Sequence, residues 1–118
     1  MSAGVRREKF AFTLDLSGDD ETPAVNIEHY RYAGVLIETD SVADNTGEFF
    51  IEVRALEVGT NTPSGWARLD VTIPALASAD AVLASGLILA PFEEMRVAFD
   101  VAGGSPAGTA AVHVCIKD

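Results

Sequence analysis

The amino-acid sequence predicts an all-β protein, an antiparallel sandwich of two sheets that is best described as a jelly roll, with at most one short helix. Seven or eight segments alternate apolar and other residues, which is the period of a strand that buries one face. Turn residues separate these segments at short intervals. Helical segments do not alternate with the strands as they would in a parallel α/β sheet, so antiparallel sheets packed face to face are favoured.

The strands of the first half follow directly from this alternation. Residues 10–16 form the first strand, and an acidic turn ends it. A short strand is predicted at 24–28 and a longer one at 29–39. Residues 49–54 show the clearest pattern, in which Phe50 points to the solvent-exposed face of its sheet.

The second half contains the only candidate for a helix. Residues 66–73 predict a strand that carries Trp66 and Arg68 on its outer face. Residues 75–85 are rich in alanine and allow at most one or two helical turns. The continuous apolar run at 87–92 indicates a buried strand.

The last quarter of the chain provides the spine of the predicted sheet. Residues 95–101 and 109–116 each alternate without a break, and a cluster of glycine and proline separates them. Two such strands around a glycine-rich loop predict a hairpin. The apolar sides of all these strands predict a core, made of Phe10, Phe12, Leu14, Phe49, Ile51, Val53, Leu69, Val71, Ile73, Val97, Phe99, Val112 and Val114.

Length and charge limit the classes of function. The 118 residues have the size of one domain, and we expect a flexible basic N-terminal arm at 1–9 followed by a single β-sandwich domain at 10–118. The net charge of −10 argues against nucleic acid as a partner, because phosphates require a basic face. The first residues lack the apolar segment of a signal peptide, and no apolar run is long enough to cross a bilayer. We therefore expect synthesis in a cytoplasm and no membrane partner.

The predicted arm stands out by its charge. Arg6, Arg7 and Lys9 against Glu8 give it a local charge of +2 in an acidic chain. Such a segment is either a frayed terminus or a tail that docks on an acidic patch of a partner.

Few residues indicate chemistry. His29 and His113 are far apart in sequence, and Cys115 is the single cysteine, which we expect to be an inert thiol within a strand. The acidic turn does not have the spacing of an EF-hand calcium loop. The sequence contains no nucleophile elbow and no phosphate-binding loop, and no pair of carboxylates is marked out. We therefore expect no enzymatic activity, no metal and no cofactor.

A resemblance to a known family is carried by the C-terminal half. This half combines an outward-facing aromatic strand, a proline-bounded Ala/Leu-rich segment and a glycine-rich loop, in the residues Trp66, Pro91-Phe92, Arg96-Val97 and Gly108-Thr109-Ala110. In these features it resembles the small jelly-roll accessory proteins of tailed-phage virions, in particular the capsid cement or decoration proteins of short-tailed phages.

The resemblance implies a virion protein on the capsid exterior. Such a protein binds the major capsid protein, clamps neighbouring subunits, forms a homo-oligomer (dimer or trimer) and needs no cofactor. Phe50, Trp66 and Arg68 on the predicted outer face are of types that are enriched at interfaces, and the basic side chains of the arm could pair with an acidic patch of a neighbouring subunit. They give the candidate partner interface Arg6, Arg7, Lys9, Phe50, Trp66 and Arg68.

Two other classes of function stay open at this point. A tail, neck or fibre-base module of a phage virion would share the fold and differ in location. A carbohydrate-binding β-sandwich would need Trp66, Tyr30 and Tyr32 on one exposed face, because sugar rings stack on an aromatic platform. Fold alone does not choose among these classes.

Overall fold

The computed structural model describes residues 6–56, 59–60, 62–86, 88–89 and 92–118. Ten strands lie within these residues, which contain no helix, and the all-β class is confirmed. No membrane-spanning helix is therefore found among the described residues. In chain order the strands are β1 (Arg7–Asp15), β2 (Asp20–Glu21), β3 (Val25–Asn26), β4 (Tyr32–Ala43), β5 (Glu48–Arg54), β6 (Ala67–Arg68), β7 (Val82–Ala84), β8 (Ile88–Leu89), β9 (Glu94–Asp100) and β10 (Ala107–Lys117).

The strands form two antiparallel sheets of five strands each. Sheet 1 has the order β1-β10-β4-β7, and β8 also pairs with β4; sheet 2 has the order β2-β9-β5-β6, and β3 also pairs with β9. Because β2 and β3 are two parts of one edge and β7 and β8 two parts of another, the order reduces to 1-8-3-6 in sheet 1 and 2-7-4-5 in sheet 2. This is the strand order of a jelly roll, so the predicted architecture is confirmed.

The core lies between the sheets, where alternate residues of the long strands meet. Phe49 and Phe99 are both buried there, with ring centroids 4.7 Å apart. Nine predicted core residues are buried, namely Leu14, Phe49, Ile51, Val53, Ile73, Val97, Phe99, Val112 and Val114. The other four are partly buried and pack against this cluster, namely Phe10, Phe12, Leu69 and Val71.

The two strands of the last quarter do not form the predicted hairpin. β9 lies in sheet 2 and β10 in sheet 1, so the glycine-rich loop crosses from one sheet to the other. Gly103 has a φ of 132° and lies against the backbone carbonyl of Asp44, where an added Cβ would clash. Alternation identifies a strand without identifying its partner, and a crossing loop uses the same turn residues as a hairpin.

The sequence allowed at most one short helix, at 75–85, and the structure stays within that limit. This segment contains no helix and ends in β7, which pairs with β4. Its polar groups bond to other parts of the chain: the Leu76 N–H donates to the Gly47 carbonyl at 2.9 Å, and the Ala81 N–H donates to the Thr39 hydroxyl at 2.7 Å. These tertiary bonds, together with the burial of Leu76, override the weak helical preference of alanine.

Three predicted strands are shorter in the structure than in the sequence pattern, and within 24–28 only Val25–Asn26 forms a strand. Within 66–73, only Ala67–Arg68 pairs as a strand, alongside β5. Within 87–92, Ile88–Leu89 forms β8, and residues 87, 90 and 91 lie outside the described residues.

Part of the expected N-terminal arm belongs to sheet 1. β1 begins at Arg7, and Arg7, Glu8 and Lys9 pair with the end of β10. The sandwich therefore includes residues that we had assigned to the arm, because an edge strand tolerates charged side chains that point to solvent. Residues 1–5 lie outside the described residues, and their flexibility stays a prediction.

One buried polar side chain connects the loops at one end of the sandwich. Asn45, in the turn between β4 and β5, is fully buried. Its Nδ2 donates to the Leu16 carbonyl at 2.8 Å, and its Oδ1 accepts from the Gly47 N–H at 3.0 Å. A buried amide is stable only when its donors and acceptors are satisfied in this way. The turn after β4 is thereby bonded to the end of β1.

Candidate functional site

The outer face of sheet 2 carries a group of charged and aromatic side chains. The strand register creates this group, because β5 and β9 alternate core residues with outward-pointing residues, and pairing aligns the outward ones. Glu52 lies opposite both Arg96 and Arg68, while Arg54 lies opposite Glu94. We call the group the arginine–aromatic surface, and it consists of Phe50, Glu52, Arg54, Trp66, Arg68, Glu94, Arg96 and Asp100.

Glu52 is the centre of the surface. Only 8% of the surface area of Glu52 is exposed to solvent, although the residue lies on the outer side of the sheet. Oε1 accepts a hydrogen bond from Arg96 Nε at 2.8 Å, and Oε2 accepts one from Arg68 Nε at 3.3 Å. A carboxylate can be buried to this extent because two guanidinium groups replace its water.

The ion pairs extend from Glu52 toward one end of the surface. Arg68 Nη2 donates to Asp100 Oδ2 at 2.8 Å. The hydrogen bond to Asp100, followed by the one to Glu52, raises the pKa of the Arg68 guanidinium above its ordinary value despite partial desolvation. Arg68 thus remains charged while it joins two carboxylates.

A separate pair lies toward the other end, where Arg54 Nε donates to Glu94 Oε1 at 2.8 Å. Both side chains are largely shielded, with 22% and 19% of their areas exposed. Together the surface holds three arginines and three carboxylates. It is therefore a locally neutral region of a protein whose net charge is −10.

The aromatic rings of the surface pack against its arginines. The Arg68 Cζ atom lies 3.8 Å from the centre of the Phe50 ring. The Arg54 and Arg96 Cζ atoms lie 4.3 and 4.5 Å from the centre of the Trp66 ring. Cation–π contacts of this kind, together with the ion pairs, hold long side chains in one arrangement before any partner arrives. A partner would then lose less side-chain entropy on binding.

Hollows flank the surface at both ends. A groove of about 410 Å³ lies beside Trp66, Arg54 and Arg96 and is bounded on its other side by the segment 21–24. A smaller hollow of about 160 Å³ lies beside Phe50 and Asp100. A partner could therefore place protruding side chains in these hollows and a flat area against the rest of the surface.

The structure brings together one half of the predicted interface residues. Phe50, Trp66 and Arg68 lie on the arginine–aromatic surface, close to the groups described above. Arg7 and Lys9 lie instead in β1 of sheet 1 and are exposed. A role in partner binding stays a prediction for all of them.

Arg6, the remaining predicted interface residue, is engaged within its own chain. Its guanidinium pairs with Asp118 at 2.9 and 3.0 Å and donates to the His29 carbonyl at 2.8 Å. Its Cζ atom also lies 5.3 Å from the centre of the Tyr30 ring. Arg6 therefore lies against an acidic residue of its own chain at one end of sheet 1, which is one of the two states expected for the basic arm, mobile or held against its own acidic surface.

The sequence did not identify the groups that organise the surface. Its alternation places Glu52 and Arg54 on the same face as Phe50, but it does not show which residues of a distant strand lie beside them. Arg96 comes from β9, and its contact with Glu52 depends on the β5–β9 register. A count of outward-pointing arginines on adjacent predicted strands would have been the available signal.

The three rings that a carbohydrate platform would require do not share one face. Tyr32 begins β4 of sheet 1, whereas Trp66 packs on the outer side of sheet 2. Tyr30 is partly buried against the core. Burial raises the pKa of the Tyr30 hydroxyl, and a hydrogen bond with Glu8 adds to this effect. The geometry therefore gives no support to stacking of a sugar on these three rings.

No cluster suited to a metal ion occurs among the described residues. Cys115 is a free thiol on β10 and is partly buried. His113 lies on the same strand, opposite Ala11 and Leu36, which supply no ligand atoms in their side chains. The arginine–aromatic surface on sheet 2 is accordingly the candidate site.

The fold is similar to two solved structures. One is the SPBc2 prophage-derived protein YomS, with a TM-score of 0.51 and 16% identity over 100% of this chain and 98% of that chain. The other belongs to Bacillus endospore appendages, described as a novel family of disulfide-linked pili, with a TM-score of 0.45 and 16% identity over 96% of this chain and 86% of that chain. No protein-family model matches the sequence, and a search of curated proteins found no match. The likeness to YomS shows a common fold.

Proposed function

We propose that this chain is a structural protein of a phage virion that binds the outside of the capsid and stabilises neighbouring major capsid subunits. In this proposal, the arginine–aromatic surface is the docking face, and synthesis takes place in the host cytoplasm. The end-to-end likeness in fold to a prophage-derived protein supports a phage origin. The resemblance of the C-terminal half to cement proteins supports the position on the capsid.

The observation that carries the proposal is the preformed arrangement of arginine and aromatic side chains on sheet 2. Trp, Tyr and Arg are the residues that most often dominate binding energy at protein interfaces. Here Trp66 and Phe50 lie at the two ends of a network of ion pairs, and both are only partly buried. Their remaining exposed area is available to a partner.

Local neutrality suits a protein partner. The net charge of −10 would repel an acidic surface, and repel nucleic acid most strongly. Within the arginine–aromatic surface the positive and negative groups balance, so a partner needs no strong opposite charge to approach it.

Binding to a capsid lattice also lowers the affinity that each single contact must provide. It presents the same patch many times, and an oligomer that binds two patches gains an effective concentration for the second contact. A modest interface on each copy is then sufficient for high occupancy. This reasoning favours a lattice over a single soluble partner.

The experiment is co-sedimentation of the purified protein with empty capsids of its phage, using wild type, Trp66→Ala and Phe50→Ala. We expect each substitution to weaken binding at least roughly tenfold, because each removes an aromatic anchor. The matched control is Val82→Ala, since Val82 is 70% exposed and lies on β7 of sheet 1, away from the docking face. Melting temperatures show that the variants are folded.

Several outcomes would contradict the proposal. Equal binding by Trp66→Ala and Val82→Ala would remove the docking face from sheet 2. Binding to purified tails but not to capsids would move the protein to a tail, neck or fibre-base position. Retention on duplex DNA in place of capsids would refute a protein partner altogether.

A further inference from the structure

β1 forms a long open edge of sheet 1. Its nine residues pair with β10 on one side, and no described strand pairs with the other side. The other edges are formed by shorter strands, of two residues in β2 and β6 and three in β7. An unpaired edge of this length is a template for addition of another strand.

The backbone groups that face the open edge can be assigned from the ladder. Toward β10, the Arg6 carbonyl accepts from the Asp118 N–H at 3.1 Å, and the Leu16 N–H donates to the Gly108 carbonyl at 3.0 Å. Because bonding direction alternates along an antiparallel strand, the even-numbered residues of β1 bond to β10. The odd-numbered residues, Lys9, Ala11 and Thr13 among them, direct their N–H and C=O groups outward.

The charges of β1 are arranged so that the strand complements itself. Arg7 and Lys9 lie near its beginning, and Asp15 lies at its end. In an antiparallel pair centred on Ala11, Arg7 of each copy lies opposite Asp15 of the other. A parallel pair would place Arg7 beside Arg7, which is unfavourable. In the same antiparallel register every outward-facing backbone group of Lys9, Ala11 and Thr13 finds a partner.

Two phenylalanines supply an independent observation. Phe10 and Phe12 lie on the core side of β1, with ring centroids 6.5 Å apart and planes 2° apart, yet both are only partly buried. The facing edge of sheet 2 is formed by the short β2 and β3, which give them little cover. In the pairing centred on Ala11, Phe10 lies opposite Phe12 of the second copy. Four rings would then cover one another.

From the open edge, the charge pattern and the incompletely buried ring pair, we propose that β1 pairs antiparallel with β1 of a second copy of this chain, centred on Ala11. Sheet 1 of one copy and sheet 1 of the other then form one continuous sheet of ten strands. The occupant of the edge is thus a second copy, and the dimer leaves sheet 2 of each copy free. This inference rests on β1 alone and does not depend on the proposed capsid function.

The first test is sedimentation equilibrium with Ala11→Pro, in the presence of a reductant that prevents a disulfide through Cys115. The substitution removes an N–H that faces the open edge and no bond to β10, so the monomer should tolerate it. The chain mass is 12.4 kDa. We expect the wild type to sediment with twice this mass, as a dimer, and Ala11→Pro to sediment with the mass of a single chain. The control Ala11→Thr keeps the N–H and should remain dimeric. A monomeric wild type at high micromolar concentration, or a dimeric Ala11→Pro, would overturn the proposal.

Hydrogen exchange gives a second readout that does not require the proline variant to fold. In wild type the amides of Lys9, Ala11 and Thr13 should be protected at concentrations where the dimer forms, and they should lose protection on dilution. The amides of Phe10 and Phe12, bonded to β10, should remain protected throughout. Fast exchange at the odd-numbered positions in a sample of dimeric mass would place the dimer contact elsewhere.

A charge variant provides the third test. Arg7→Glu puts a carboxylate opposite Asp15 at both ends of the pair, so dimer dissociation should become at least roughly tenfold easier. Arg31→Glu changes the net charge equally, at an exposed position outside β1, and is the matched control. Equal weakening by both variants would show that overall charge, and not the β1 register, decides association, which would overturn the proposal.

Discussion

The two outer faces of the sandwich differ, although both sheets use the same alternation. On sheet 1 the outward positions of the neighbouring strands are mostly small or uncharged, namely Ala11, Thr13, Gly34, Leu36, Ala84, Ala111, His113 and Cys115. On sheet 2 the equivalent positions carry the arginine–aromatic surface. Leu36 and Val82 are also exposed large apolar side chains of sheet 1, at 37% and 70%. The charged side chains of sheet 1, such as Arg7, Lys9 and Glu38, stand among these small and uncharged residues, whereas those of sheet 2 are joined in a network of ion pairs.

The difference shows that a residue type has no fixed energetic weight on a sheet surface. Glu52 and Glu38 are both outward-facing glutamates in inner strands, β5 and β4. Glu52 is 8% exposed between two arginines. Glu38 is exposed, and its neighbours across the strands are Ala111 and Val82. The strand register places arginines beside the carboxylate of Glu52, whereas it leaves the carboxylate of Glu38 exposed to solvent.

The largest expected effect tests the assignment of inside and outside. Phe99→Ala should lower the free energy of unfolding by roughly 3–5 kcal/mol, because it leaves a cavity beside Phe49 in the shared core. Phe50 neighbours Phe49 in sequence but faces outward against Arg68. Phe50→Ala should therefore cost about 1 kcal/mol or less. Urea unfolding of both variants measures the contrast.

Two results would break this comparison. A folded Phe99→Ala protein with the melting temperature of wild type would show that the core side is misassigned. A loss from Phe50→Ala as large as that from Phe99→Ala would show that the outer face of sheet 2 is packed like a core.

The next effect compares the two glutamates directly. Glu52→Gln should cost about 1–3 kcal/mol, because Arg68 and Arg96 lose the charge that compensates their partial burial. Glu38→Gln makes the same chemical change on the other face and should stay within about 0.5 kcal/mol of wild type. Chemical denaturation at neutral pH provides both numbers.

Matching losses for the two glutamine variants would mean that the network on sheet 2 adds nothing to stability. Glu52→Gln would then be expected to affect only partner binding. A loss confined to Glu52→Gln would instead show that the network on sheet 2 stabilises the protein in the absence of a partner.

The sequence predicted those features that depend on a single segment. Alternation around Phe49, Val97 and Val112 identified strands, their buried sides and the all-β class. It did not predict that β9 and β10 lie in different sheets. A hairpin within one sheet and a connection between two sheets would bury the same residues of these strands. The helical candidate at 75–85 forms no helix because hydrogen bonds to Thr39 and Gly47, which are distant in sequence, hold that segment.

The candidate site divides in the same way. Phe50, Trp66 and Arg68 could be predicted as outward-facing interface types from their own strands. Glu52 and Arg96 could not be recognised as the centre, because their contact is a property of the β5–β9 register. The expected arm was misjudged where charge was taken as a sign of disorder, whereas Arg7 is in fact part of an edge strand.

The smallest expected effect concerns the ion pair that closes sheet 1. Arg6 and Asp118 have 59% and 40% of their side-chain areas exposed, in contrast to the shielded pairs of sheet 2. Hydrogen bonds from Arg6 nevertheless hold the pKa of the Asp118 carboxyl below its ordinary value. The folded chain thus binds this proton less readily than the unfolded chain. The contribution of the pair is therefore fully present above the ordinary aspartate pKa and is lost as the pH falls through the lowered one.

Asp118→Asn should consequently reduce stability slightly at neutral pH, and the difference from wild type should shrink in acid, as the pH falls through the lowered pKa of the Asp118 carboxyl. Urea unfolding at neutral pH and at a series of acidic pH values measures this difference. Asp70→Asn, at an exposed position in a bend, removes the same kind of charge outside this ion pair and is the control. A gap that persists unchanged in acid would mean that Asp118 acts through hydrogen bonding alone. The exposed pair of sheet 1 would then have no electrostatic role comparable to the network of sheet 2.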